Sequence, residues 1–141
     1  IGRLLDLGDA PSAMNSVDTA FRAIGTAGEP TRMAALSAHA ARIEGSLGRE
    51  QARCETLILA AAWAVLADDP AAEALSTEVR ELALALDVAE LVDDAAGLGD
   101  PTQSHELLGG PPDGFDAGSV RDITDQLGVL LERVDDLIAS P

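Results

Sequence analysis

The side chains of this sequence that could bind or react concentrate in one stretch, RIEGSLGREQARCETLILAAAWAV at residues 42–65. Its first half carries Arg42, Glu44, Arg49, Glu50, Arg53 and Glu55, with His39 just upstream, and its second half carries no charge. On a helical wheel Arg42, Arg49 and Arg53 fall within about 40° of one another, with His39 about 60° away on the Glu50 side. Glu50 stands three residues before Arg53, within reach of it on one helix face. Three guanidinium groups on one stripe are the donor set of a clamp for a small anionic ligand, and His39 or Glu50 would be the acid or base beside it. The competing account is structural. Arginines pair with acids of a neighbouring helix or a second subunit, and their stems cover apolar surface. One helix cannot show the convergence a clamp needs, so structural pairing is the expectation. A ligand pocket formed by Arg42, Arg49, Arg53 and Trp63 is the alternative.

Other reactive residues carry less. Cys54 is the only cysteine, so no disulfide forms within the chain, and it falls on the apolar stripe of its helix, where a buried inert thiol is expected. His39 and His105 are the only histidines, and no pair of ligands has the tight spacing of a zinc site. Asp93, Asp94 and Asp100 lack the alternating oxygens and final glutamate of a calcium loop. Gly109-Gly110-Pro111-Pro112 is a turn rather than a phosphate loop, because no Lys-Ser/Thr follows. The sequence asks for no metal and no cofactor. Trp63, among alanines, fills core or borders an inter-helix pocket.

The elements that must hold these residues are helical. Met14, Val17, Phe21 and Ile24 recur at spacings of three and four, with Ser12 as a candidate cap. Glu29-Pro30-Thr31 begins a long segment with Met33, Leu36, Ala40, Ile43 and Leu47 on one face. The stripe resumes at Cys54 and continues to Val65. Unbroken to Leu66, this helix would be about 55 Å long, with Gly45 and Gly48 marking a kink or a break. Asp69-Pro70 restarts the chain with a cap and a first-turn proline, and the helix it opens ends between Leu91 and Gly97. Residues 97–118 form a Gly/Pro-rich connection with one candidate turn at Ser104–Leu108. A final helix begins at Ser119 and places Val120, Ile123, Leu127, Leu130, Val134 and Leu137 on one face. Residues 1–7 could add a short helix.

Composition agrees. Hydrophobic residues make up 47% of the 141, aromatic residues 2%, so the core is aliphatic and suits helices better than a sheet. All nine cations are arginine, a bias that with abundant Ala, Gly and Asp points to a GC-rich bacterial genome or a halophile. The absence of lysine excludes Schiff-base catalysis by this chain. A net charge of −16 argues against nucleic acid and anionic membrane surfaces as partners. That charge is uneven: residues 29–55 are neutral, whereas residues 56–117 hold thirteen acids and one arginine, Arg80.

The expected architecture is all-α, a single helical domain spanning residues 1–141. It is a bundle of four to five helices with one long central helix. The apolar second half of that helix exceeds what one small bundle covers, so a homodimer is expected. The expected function is a non-enzymatic interaction or assembly module, cytoplasmic, that holds its own copy or a protein partner. The alternative is a small all-α enzyme or ligand-binding protein of bacterial specialised metabolism, with its pocket near His39 and the Arg42/Arg49/Arg53 stripe and the 97–118 connection as a lid.

Overall fold

The computed structural model of the chain describes residues 10–98, 100–109 and 117–139, and every regular element within them is helical. Seven α-helices follow in order: α1 Ala10–Ile24, α2 Pro30–Ser46, α3 Glu50–Leu66, α4 Ala72–Leu86, α5 Ala89–Ala96, α6 Pro101–Leu108 and α7 Ala117–Ala139. A 3-10 turn, Gly25–Ala27, links α1 to α2. The expectations for residues 1–7 and for the Gly110-Pro111-Pro112 turn lie outside the described residues.

The hub is α3. Every side chain from Thr56 to Ala64 is buried, because α2, α4, α5 and α6 all pack against this helix. A helix apolar on all sides needs such a surround, and for Thr56–Ala64 the chain itself supplies it, so this helix does not call for the second copy that its composition suggested. Met14, Val17, Phe21 and Ile24 have no exposed surface, as their spacing predicts. α7 lies across α1 and α2 and buries Leu127, Leu130, Leu131 and Val134.

The number of helices exceeds the four to five expected, and three local causes account for the difference. The long segment 30–66 is two helices folded back on each other, not one. Gly48 adopts a left-handed conformation, φ 75°. The Arg49 amide then donates to the Glu44 carbonyl at 2.9 Å and the Gly48 amide to the Gly45 carbonyl at 3.1 Å. This hydrogen-bond pair is the Schellman ending that a left-handed glycine permits. The helix after Asp69 ends at Leu86, where Asp87 turns left-handed, φ 55°, and Ala89–Ala96 forms a helix of its own. The 97–118 connection is not a bare loop in its first half. Asp100 caps α6, its Oδ1 accepting from the Thr102 amide at 2.9 Å, with Pro101 at the first helical position.

Of the two expected starts at Glu29-Pro30 and Asp69-Pro70, the first holds and the second shifts. The Glu29 carboxylate caps α2 by accepting from the Thr31 and Arg32 amides at 3.2 and 2.7 Å. Asp69 does not cap α4 directly. Its Oδ1 accepts from the Ala71 amide at 2.9 Å, which makes a turn, and α4 begins at Ala72.

Candidate functional site

The break at residues 47–49 decides the fate of the arginine stripe. The wheel angle that aligned Arg42 with Arg49 and Arg53 holds only along one continuous helix, and Arg42 now belongs to α2 while Arg53 belongs to α3. Arg42 is exposed. Arg49, at the head of α3, reaches back. Its Nη2 donates to Asn15 Oδ1 on α1 at 2.7 Å, and its Nε lies 3.3 Å from Glu44 Oε2 on α2. Arg53 pairs with Glu50 at 3.1 Å, as their spacing predicts, and with Glu78 of α4 at 3.8 Å. Its stem crosses Gly45, where an added Cβ would stand 3.1 Å from Arg53 Cδ. The acids that pair with Arg49 and Arg53 are Glu44, Glu50 and Glu78.

His39 is held elsewhere. Its Nε2 meets Asp135 Oδ2 of α7 at 2.5 Å, with Arg32–Asp125 at 2.7 Å as a second tie between α2 and α7. His39 and Glu50 are thus engaged by different partners on different helices. Trp63 is core. Its indole has no exposed surface, packs edge-on to Phe21 at 5.7 Å, and donates from Nε1 to the Gly25 carbonyl at 3.1 Å. Cys54 is fully buried too, and burial pushes its thiol above its usual range, with Glu55 adding and Arg53 opposing. His105 is exposed on α6.

The residue that the charge pattern did not single out is Glu44. Its side chain has no exposed surface, and neither carboxylate oxygen has a hydrogen-bond partner among the described residues. Burial raises its pKa to about 7, against the pull of Arg49 and with help from Asp18 and Glu55. Asp18 of α1 is raised chiefly by burial. The Thr56 hydroxyl, donating to Asp18 Oδ1 at 3.2 Å, and Arg22 draw it back, and Glu55 pushes it further up. The sequence held one sign of this: Glu44 sits four residues after the core residue Ala40, about 40° from it on the wheel.

Asn15, Asp18, Glu44, Arg49 and Thr56 therefore make a polar junction where α1, α2 and α3 meet. A carboxyl that titrates near neutrality can exchange protons, but Glu44 has no surface from which to touch a substrate. Its proton bears on the packing of three helices. Next to this junction, Arg22, Glu55, Glu90 and Asp94 border a groove of about 270 Å³. Asp94 is raised by burial, then by Glu90 and Asp93, with Arg22 opposing. No group of His, Cys, Asp and Glu among the described residues is arranged to hold a metal ion.

No family model, no curated protein and no solved structure matches this chain. No helix among the described residues is long and apolar enough to cross a membrane.

Proposed function

We propose that this chain is a non-enzymatic helical module that pairs with a second copy of itself through the outer face of α7. The observation that carries the reading is the exposure of Val129 (46%), on the side of α7 away from the core, and of Leu137 (43%), which lies on the core stripe, about 20° from Leu130 on the wheel, near the end of the helix. Arg133 lies between them in sequence and about 40° from each on the wheel. Glu132, Arg133 and Asp136 supply charges of both signs, which a two-fold interface can match with itself.

The charge distribution supports the same face. α2 carries two arginines and one glutamate, and α7 two arginines and five acids, whereas residues 68–108 carry eleven acids and one arginine. Two copies that met through α4 to α6 would bring like charge together. Contact through α7, with α2 beside it, brings less. The anion clamp is the weaker reading because Arg49 and Arg53 are occupied by Glu44, Asn15, Glu50 and Glu78. A cytoplasmic setting belongs to the proposal.

Light scattering of the full chain at micromolar concentration tests it. The expected mass is twice that of the chain, and Val129→Asp with Leu137→Asp should return the single-chain mass without a loss of helicity. A wild type that runs as a monomer at about 100 µM overturns the reading.

A further inference from the structure

Away from the arginine stripe, a cleft of about 600 Å³ opens between the end of α3, the 68–72 turn, α4 and the start of α6. Val65, Asp68, Glu73, Ser76, Arg80 and Pro101 border it. Glu73, Ser76 and Arg80 are spaced by three and four, so one face of α4 forms its wall. We propose that this cleft binds a small zwitterion, a molecule that carries both a carboxylate and an ammonium group.

Ser76 points to a ligand. It is 2% exposed, and its hydroxyl has no hydrogen-bond partner among the described residues. A buried hydroxyl without a partner is costly to a protein, and a serine on a helix can usually bond the carbonyl one turn back. Thr77 does so next to it, donating to the Glu73 carbonyl at 3.0 Å. Ser76 keeps its hydrogen-bonding capacity unspent in the wall of a cleft.

Arg80, one turn on, supplies the charge. It is the only cation among the twelve charged side chains of residues 68–108, and yet no ion pair engages it among the described residues. Its Nε donates to the Ala95 carbonyl at 3.2 Å, which fixes the guanidinium plane and leaves its terminal nitrogens for a carboxylate. The rest of the border has the opposite sign. Glu73 and Asp68 are exposed acids. Asp68 holds a left-handed conformation, φ 54°, at the position after α3 where glycine is the commonest residue. A carboxylate stands there although glycine would fit with less strain. One cationic wall group beside a serine, with Glu73 two turns away on the same wall and Asp68 on the border, matches a ligand with separated charges and disfavours a simple anion.

The test is titration of the full chain, followed by amide NMR shifts on α4, with three probes: L-leucine, acetate and methylammonium. L-Leucine is expected to bind at least tenfold more tightly than either singly charged probe. Arg80→Gln should weaken leucine binding at least tenfold while the chain stays folded. Ser76→Ala should weaken it several-fold while its melting temperature holds or rises, because the unpartnered hydroxyl is gone; a merely structural serine would lower it. Failure of leucine to bind below about 10 mM, equal binding of acetate, or leucine binding that ignores both substitutions overturns the proposal. None of these outcomes depends on whether the chain dimerises through α7.

Discussion

Arg49 meets Glu44 twice. Its amide donates to the Glu44 backbone carbonyl at 2.9 Å, and its Nε lies 3.3 Å from the Glu44 carboxylate. The first contact ends α2, and the second places a cation against a carboxylate that has no exposed surface. One residue thus both turns the chain and compensates the charge that the turn buries. Asn15 then ties the same guanidinium to α1.

That arrangement makes stability depend on pH with a definite sign. The Glu44 carboxyl holds its proton in the folded chain up to about pH 7, against an ordinary value of 4.5. Between those values the folded state binds more protons than the unfolded state, so stability falls as pH rises through this window. The loss should approach roughly 3 kcal/mol, because each tenfold difference in proton affinity between the two states is worth about 1.4 kcal/mol. Asp18 and Asp94 are raised as well and act in the same direction. Urea unfolding at pH 5 and pH 8 measures the effect, and Glu44→Gln should flatten much of the slope. Equal slopes in the two proteins would mean that Glu44 ionises as an ordinary surface glutamate does.

Arg49 and Arg53 looked equivalent on the wheel, but their substitutions should separate. Arg49→Ala strands a buried carboxylate, and at pH 8 it should cost about 2–3 kcal/mol, toward the low end for a broken buried pair because Glu44 can take up a proton. At pH 5, where that proton is already bound, the cost should shrink. Arg53→Ala breaks pairs with Glu50 and Glu78, both about half exposed, and should cost under about 1 kcal/mol at either pH. Chemical denaturation of both variants at the two pH values checks this, and equal costs at pH 8 would refute the difference.

How much of this could be read beforehand follows from the same residues. The faces of α1 and α7 were legible because apolar spacing records which side of a helix is covered, and Met14–Ile24 and Leu127–Val134 are buried as spaced. The break before Arg49 was visible only as glycines. Periodicity continues across it because α2 and α3 cover one another, so each keeps an apolar stripe on both sides of the turn. Once the chain reverses, wheel angles taken across Gly48 lose their meaning, and the Arg42–Arg49–Arg53 alignment goes with them. Glu44 and Ser76 escaped notice for another reason. Residue type says that they are polar, and only the packing of neighbouring helices leaves them buried without hydrogen-bond partners among the described residues. The break at Asp87 was missed, and of α6 only a turn at Ser104–Leu108 was read, because a left-handed aspartate and an eight-residue helix leave short patterns.

The last prediction concerns how α6 is fastened. Gly25 adopts φ 50°, and its neighbour Thr26 donates its amide to the Gly109 carbonyl at 2.8 Å. A Cβ on Gly25 would stand 2.5 Å from the Gly109 oxygen and 2.9 Å from the Leu108 oxygen, both of them backbone. Beneath the same glycine, the Trp63 indole donates to the Gly25 carbonyl. Gly25→Ala therefore clashes with the end of α6 and strains a left-handed position, and it should cost at least about 2 kcal/mol. Trp63→Phe keeps most of the ring but leaves the Gly25 carbonyl with only the Gly28 amide at 3.5 Å, at about 1–3 kcal/mol. Trp63 is the only tryptophan, so its fluorescence reports on this joint directly. In Gly25→Ala the emission should move to longer wavelength as α6 lifts and water reaches the indole, and amide exchange should quicken in Pro101–Leu108 before it does in α2. Unchanged emission with unchanged exchange would mean that α6 is held by its packing on α3 alone.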